Sequence, residues 1–228
     1  MENQSPLPRH LGIIMDGNRR WAKEHGMPTL EGHKRGAQTL KDIAITASEK
    51  GIKILTFFCF STENWQRPKT EIDYLMNLIH EMFATHFPEL QKKQIRIKVI
   101  GQKEKLPKRV VKDIEATEKE TANNEGMTLN LALSYGGRAE IVDAIKKIIK
   151  SGVDPESINE ETVKDNLWTS DVDLVIRTGG EQRLSGFLLW QSAYSEFLFV
   201  NKYWPEFAQA DFNSALEEYS QRQRRFGK

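Results

Sequence analysis

The chain has 228 residues, 39% of them hydrophobic and 29% charged, which is enough apolar content for a packed core and argues against a disordered chain. Its 33 Lys and Arg balance 32 Asp and Glu, whereas a dedicated nucleic-acid binder carries a large basic excess. A single cysteine, Cys59, excludes an internal disulfide and a cysteine-rich zinc site. Length fits one domain over residues 1–228. Residues 1–9 hold no apolar signal core, and no segment approaches the ~18 apolar residues of a bilayer span, so a cytoplasmic protein is expected.

In chain order, residues 11–15 are the first apolar run and predict a strand that ends on Asp16. Gly17 permits a tight turn into a following helix. Residues 36–50 carry Leu40, Ile43 and Ala47 at helical spacing, with His33 standing just before them. Residues 54–60 predict a second strand, in which Cys59 reads as a buried reduced thiol. Residues 70–87 predict a helix through Ile72, Leu75, Met76, Ile79, Met82 and Phe83. Tyr74 and Leu78 widen its apolar side, so it can line a cavity as well as pack.

Residues 95–100 alternate with Arg96 and Lys98, which suggests a strand nearer an edge. A strand over 128–133 runs into Tyr135-Gly136-Gly137-Arg138, read mainly as a structural turn, and a helix over 139–150. The polar stretch 151–161 looks like a surface connection opening a short helix, with Asp154-Pro155 as cap and first turn. Strands over 173–176 and 196–200 complete the set. Strand alternating with helix predicts an α/β fold with a mostly parallel central sheet of about six strands covered by helices. In such folds chemistry collects at the carboxyl ends of strands, so the polar residues after each run are the ones to read.

Three strand ends are dense in functional groups. After the first strand come Asp16-Gly17-Asn18-Arg19-Arg20-Trp21. Free N–H groups at a helix start and Arg20 suit an anion, and an acid beside an anion site suggests Mg²⁺ on a phosphate, although Asp16 serves equally as a simple helix cap. After the second strand come Ser61-Thr62-Glu63-Asn64-Trp65-Gln66-Arg67, a concentration of donors and acceptors that favours function over a plain turn. After the fifth come Arg177-Thr178-Gly179-Gly180-Glu181-Gln182-Arg183-Leu184-Ser185. There the glycines allow close backbone approach, and Arg177, Arg183 and Ser185 supply donors suited to a diphosphate. His33 could reach a phosphate, and His10, His25, His80 and His86 show no metal spacing with it, which argues against a zinc site. Glu196 could join Asp16 in a magnesium site or simply face solvent.

Together these segments resemble the cis-prenyltransferases of the undecaprenyl diphosphate synthase type. The matching pieces are residues 10–22, Gly32-His33-Lys34-Arg35-Gly36, residues 60–68, Tyr135-Gly136-Gly137-Arg138 and residues 173–191, in the family's order and nearly end to end. The resemblance implies a homodimeric, Mg²⁺-dependent transferase of isoprenoid biosynthesis with an apolar tunnel. It would condense an allylic diphosphate, typically farnesyl diphosphate, with successive isopentenyl diphosphates, making each new double bond cis. Undecaprenyl diphosphate for cell-wall biogenesis is the implied product, with no nucleic-acid partner and transient membrane-surface contact at product release.

By the same resemblance Asp16 is the central catalytic and metal residue, and Glu196 is the second magnesium ligand. Gly17, Asn18, Arg19, Arg20, Trp21, Thr29 and His33 fall to the allylic diphosphate. Asn64 assists proton removal, with Ser61, Thr62, Glu63, Trp65 and Arg67 around it. Arg177, Arg183, Leu184 and Ser185 bind isopentenyl diphosphate. The ending Arg225-Phe226-Gly227 resembles an Arg-x-Gly tail that reaches a partner's site. The family usually carries Arg at Thr29 and Asn at Gly186, departures that bear on substrate affinity.

Three rivals stand against this reading. A phosphatase of the haloacid dehalogenase type needs a second acid two residues after the first, where this chain has Asn18. A non-catalytic partner subunit tends to lose the strand-end Asp and the Arg-Thr-Gly-Gly-Glu run, and both are present. An all-helical trans-prenyltransferase is excluded by the strand pattern and the missing Asp-rich motifs.

Overall fold

A computed structural model describes residues 7–222. Six parallel strands form one sheet: β1 (His10–Ile14), β2 (Ile54–Ser61), β3 (Arg96–Ile100), β4 (Thr128–Tyr135), β5 (Leu174–Arg177) and β6 (Glu196–Phe199), in the order β3-β4-β2-β1-β5-β6. The helices are α1 (Asn18–Glu24), α2 (Thr29–Glu49), α3 (Lys69–Thr85), α4 (Phe87–Lys92), α5 (Lys108–Glu120), α6 (Gly137–Ser151), α7 (Glu160–Asp165) and α8 (Gln209–Ser220). The expected α/β architecture is therefore present, and the Arg96/Lys98 strand is indeed at an edge.

Both faces of the central strands are buried, as a parallel sheet requires. Leu11, Ile13, Leu174 and Ile176 join the larger core with Leu40, Ile43, Met76, Ile114 and Phe212 from the helices. Ile14 and Val175 point the other way, into a smaller cluster with Tyr135, Phe187 and Leu188. A break in register between Phe58 and Phe60 interrupts this alternation in β2. Phe58 packs with the smaller cluster while Phe60, two residues on, is in the larger one. A bulge of this kind re-aims side chains at a strand end.

Several boundaries move. The helix expected from residue 36 begins at Thr29, with Pro28 before it and Glu31 in its first turn. His33 thus lies inside α2 and not ahead of it, because packing against α1 carries the helix through Gly32 and Gly36 despite their poor propensity. Asp154 caps only a short 3₁₀ turn at Pro155–Ser157, and Asn159 caps α7 through the Thr162 N–H at 3.0 Å. Helices α5 and α8 were not predicted. Each buries a narrow stripe (Val110 and Ile114; Phe212 and Leu216) in an otherwise charged segment. Among the described residues no helix is long and apolar enough to cross a membrane.

Candidate active site

Because all strands run the same way, their carboxyl ends meet at one edge of the sheet. Strand β1 lies where the chain order reverses, with β2 on one side and β5 on the other. A crevice is expected at such a switch point. A cavity of about 720 Å³ opens there, lined by Asp16, Asn18, His33, Ser61, Thr62, Glu63, Asn64, Arg67, Arg177, Arg183 and Ser185. A second cleft of about 700 Å³ adjoins it across Asp16, Asn18, His33 and Arg67, and adds Gly17, Arg19, Arg20 and Thr29.

Asp16 is the hub. Its carboxylate accepts from Arg177 Nη2 at 2.8 Å and pairs with Arg20 Nη2 at 3.1 Å. Its backbone carbonyl takes the Thr178 hydroxyl at 2.7 Å and the Trp204 N–H at 3.0 Å. Arg177, whose side chain is 5% exposed, also donates to Ser185 Oγ at 3.0 Å and to the Arg183 carbonyl. One buried guanidinium thereby joins the strand-end acid to the loop after β5. Glu181 continues the chain of charges, reaching Arg183 at 2.5 Å and Arg20 at 3.5 Å.

Gly17 takes φ +107, and a side chain there would run into the Tyr203 ring, so the turn after Asp16 admits only glycine without strain. Tyr203 was not picked out from the sequence. Its ring lies under the Arg20 guanidinium at 5.3 Å, and its hydroxyl bonds Glu24 at 2.5 Å. The aromatic run Tyr203-Trp204-Pro205 after the last strand was the available signal. Glu140 was also missed. It is 1% exposed, accepts from Trp168 N at 2.8 Å and Gln191 Nε2 at 2.9 Å, and bonds the Tyr135 hydroxyl. Burial raises its pKa, so the carboxyl depends on those donors. The turn it supports was read as structural, yet Gly136, Gly137 and Arg138 line the main cavity.

His33 sits at the junction of the polar clefts with an apolar channel. Burial, reinforced by the nearby Arg67 charge, holds its pKa down to about 4, so the ring is neutral near pH 7. Its Nε2 is buried without a hydrogen-bond partner among the described residues, and Glu71 at 3.7 Å is beyond reach. An unpaired polar atom facing a cleft is suited to a ligand oxygen. The channel behind it is about 80 Å³, walled by Leu40, Leu75, Leu78, Ile79, Met82 and Phe83. Helix α3 therefore does line a cavity as well as pack. Its Leu78 faces the channel, whereas the Tyr74 hydroxyl bonds the Leu30 carbonyl of α2 at 3.2 Å. Cys59 also opens on this junction, and burial pushes its thiol up to about 12, leaving it unreactive.

Four expected site residues lie elsewhere. Trp65 turns inward, bonding Ser134 Oγ at 2.9 Å and packing edge-on against Phe60. Trp21 stacks on His25, and Leu184 packs against the smaller core cluster. Glu196 opens β6 at the amino-terminal edge of the sheet, in register with Leu174, and pairs with Arg222 at 2.8 Å. Asp16 lies past the opposite edge. Parallel strands fix this separation, so one chain does not bring the two carboxylates together. The Arg225-Phe226-Gly227 ending lies outside the described residues.

The family described as "Putative undecaprenyl diphosphate synthase" matches residues 14–227, nearly the whole chain. The chain belongs to the undecaprenyl diphosphate synthase family. An isoprenyl transferase of Thermotoga maritima is 48% identical over 97% of this chain and 97% of its own length. Among solved structures, lavandulyl diphosphate synthase from Lavandula x intermedia, in complex with dimethylallyl diphosphate, superposes with a TM-score of 0.94 at 39% identity, covering 97% of this chain and 99% of that one. A structure titled as a probable undecaprenyl diphosphate synthase from Campylobacter jejuni superposes at 0.84 with 35% identity, covering 98% and 99%. As a member of the undecaprenyl diphosphate synthase family the chain is a prenyltransferase, which removes the phosphatase reading. The arginine-rich cleft and the apolar channel are the features such an enzyme needs, one for diphosphates and one for hydrocarbon.

Proposed function

We propose that this prenyltransferase condenses isopentenyl diphosphate with an allylic diphosphate, farnesyl diphosphate first, to build a long-chain cis-polyprenyl diphosphate. Undecaprenyl diphosphate for cell-wall lipid carriers is the product in this reading. The observation that carries it is the junction at Asn18 and His33, where the arginine-lined cleft opens on the apolar channel. A substrate with a diphosphate head and a hydrocarbon tail fits across that junction. The neighbour solved with dimethylallyl diphosphate supports an allylic diphosphate as one substrate.

In this scheme the allylic head lies in the cleft of Gly17, Asn18, Arg19, Arg20 and Thr29, with His33 donating a neutral N–H from its unpaired nitrogen. Isopentenyl diphosphate lies against Arg177, Arg183 and Ser185, which the Asp16 ion pair already orients. The allylic carbon–oxygen bond breaks, the isopentenyl double bond attacks that carbon, and a proton leaves the isopentenyl unit. Negative charge grows on the departing diphosphate, and donors fixed in advance stabilise that charge without reorganising. Asn64 stands on the cavity wall, held by the Ser61 N–H at 3.0 Å, where it can assist proton removal.

Mg²⁺ suits this donor set. Among the described residues no group of three or more His, Cys, Asp or Glu could hold a metal unaided. Magnesium commonly takes one or two carboxylates and completes its shell with substrate phosphates and water, and Asp16 is a carboxylate facing a phosphate cleft. Bound to the diphosphate there, the ion would neutralise charge on the leaving group.

The channel of about 80 Å³ is small for a long hydrocarbon, and α3 is the wall along which a growing product would extend. The enzyme is read as a cytoplasmic homodimer that touches the membrane surface only to release product. Purified protein incubated with both diphosphates and Mg²⁺, with product length measured, tests the whole reading. Cis-polyprenyl diphosphates are expected, and no condensation under those conditions would overturn it.

A further inference from the structure

Three of the cleft arginines are linked through two acids. Asp16 bridges Arg177 and Arg20, and Glu181 bridges Arg20 and Arg183. We propose that Glu181 is a bridge shared by the two diphosphate subsites, tying Arg20 and Arg183 together in the place of a phosphate and making the binding of one diphosphate favour the other. This inference rests on the proposed two-diphosphate reaction.

The argument follows from charge. Arg20 lines the allylic cleft and Arg183 the cavity assigned to isopentenyl diphosphate. A carboxylate between two guanidiniums occupies the place a phosphate oxygen would take from either side, and it keeps two like charges from splaying apart. It cannot stay there once a diphosphate arrives, because two anions would then share one contact. Displacement needs only a turn of the Glu181 side chain, which is 36% exposed. Gly179 and Gly180 precede Glu181 with φ of +84 and +77, conformations that ordinary side chains resist. Their N–H groups are pinned to Lys202 and Val200 carbonyls at 2.9 and 3.0 Å, so the backbone before Glu181 is held in place. Residues 181–184 have no regular structure.

The first diphosphate to bind, on either side, displaces Glu181. The second then finds its arginine already released. The cost of displacement is met once, which is a positive coupling between the subsites, and linkage makes it equal in both directions. Both ion pairs are partly exposed, so the effect is modest. Losing such a pair changes affinity by roughly two- to fivefold.

The test is a binding cycle by calorimetry on the intact protein, with chelator present so that magnesium plays no part. The ligands are isopentenyl diphosphate and a thiolo analogue of farnesyl diphosphate whose carbon–sulfur bond does not ionise. Wild type is compared with Glu181→Gln, and thermal melting confirms that the variant is folded. In the variant each ligand alone should bind about two- to fivefold more tightly, and the factor by which either ligand improves the other should fall by a similar amount. Asp16 still bridges Arg20 and Arg177 there, so only the share of Glu181 is removed. An unchanged coupling factor, or weaker binding of each ligand alone, would overturn the proposal. Failure of the wild type to bind either ligand even after Mg²⁺ is restored would count instead against the two-diphosphate reading.

Discussion

Arg177 reaches Asp16 across 2.8 Å from 161 residues further along the chain, and this pair ties the acid after β1 to the loop after β5. Asp16→Ala should therefore abolish condensation. Loss of a charge that bridges metal and donors should lower the rate roughly a thousandfold or more. The fold should survive, because Arg177 keeps its bonds to Ser185 and the Arg183 carbonyl. Circular dichroism and single-turnover product formation measure the two effects. A variant keeping a tenth of wild-type turnover would remove Asp16 from the chemistry.

Glu196 and Asp16 stand at opposite edges of one sheet, so a magnesium site using both needs two chains. Glu196→Gln alone should raise the Mg²⁺ concentration for half-maximal rate. Refolding a mixture of Asp16→Ala and Glu196→Gln chains should recover activity, since a mixed dimer would hold one site with both acids intact. If the mixture is no more active than its parts, Glu196 serves only its ion pair with Arg222.

Product length should depend on α3. Leu78 faces the apolar channel, so Leu78→Trp should shorten the products while sparing the first condensation. Thin-layer or mass analysis of chain length reads this directly. Unchanged product length in a stable, active variant would place the growing chain elsewhere.

Thr29 begins α2 and faces the same cleft as Arg19, Arg20 and Arg67. A charge-assisted hydrogen bond added there is worth about 1.5–3 kcal/mol, or roughly 10- to 100-fold in affinity. Thr29→Arg should lower KM for farnesyl diphosphate and leave KM for isopentenyl diphosphate nearly unchanged. Steady-state kinetics with each substrate varied in turn settle the matter, and no change in either would mean that Arg19 already fills the role.

His10 and His33 predict how stability follows pH. Burial holds both pKa values at about 4, below the ordinary 6.5. The unfolded chain takes up these protons as pH falls through about 6.5, while the folded chain resists until about 4. Their neutral burial is thus fully tolerated above pH 6.5, and stability is lost between 6.5 and 4. Near pH 5 the loss should be about 2 kcal/mol for each group. Urea midpoints from pH 7.5 to 5 measure it, and His33→Gln should flatten the curve. A profile that stays flat in wild type would show that both rings take up protons in the folded protein as readily as in the unfolded chain.

The α/β class, the edge position of the Arg96/Lys98 strand and the dense strand ends at Asp16, Ser61 and Arg177 are legible in the amino-acid order alone. These features are local: apolar runs, alternation and clustered donors are written in adjacent residues. The long, strongly periodic helix α3 was legible for the same reason. Only tertiary structure decided which groups meet. The Asp16–Arg177 pair joins β1 to β5, and the Tyr203–Arg20 stack joins the segment after β6 to α1. The inward turn of Trp65 depends on Ser134 of β4, and the bulge in β2 depends on its register with β4. The separation of Glu196 from Asp16 follows from strand direction, since a parallel sheet sends every strand start to one edge and every strand end to the other. No residue's near neighbours record that direction, because it is set by how the helices carry the chain back across the sheet.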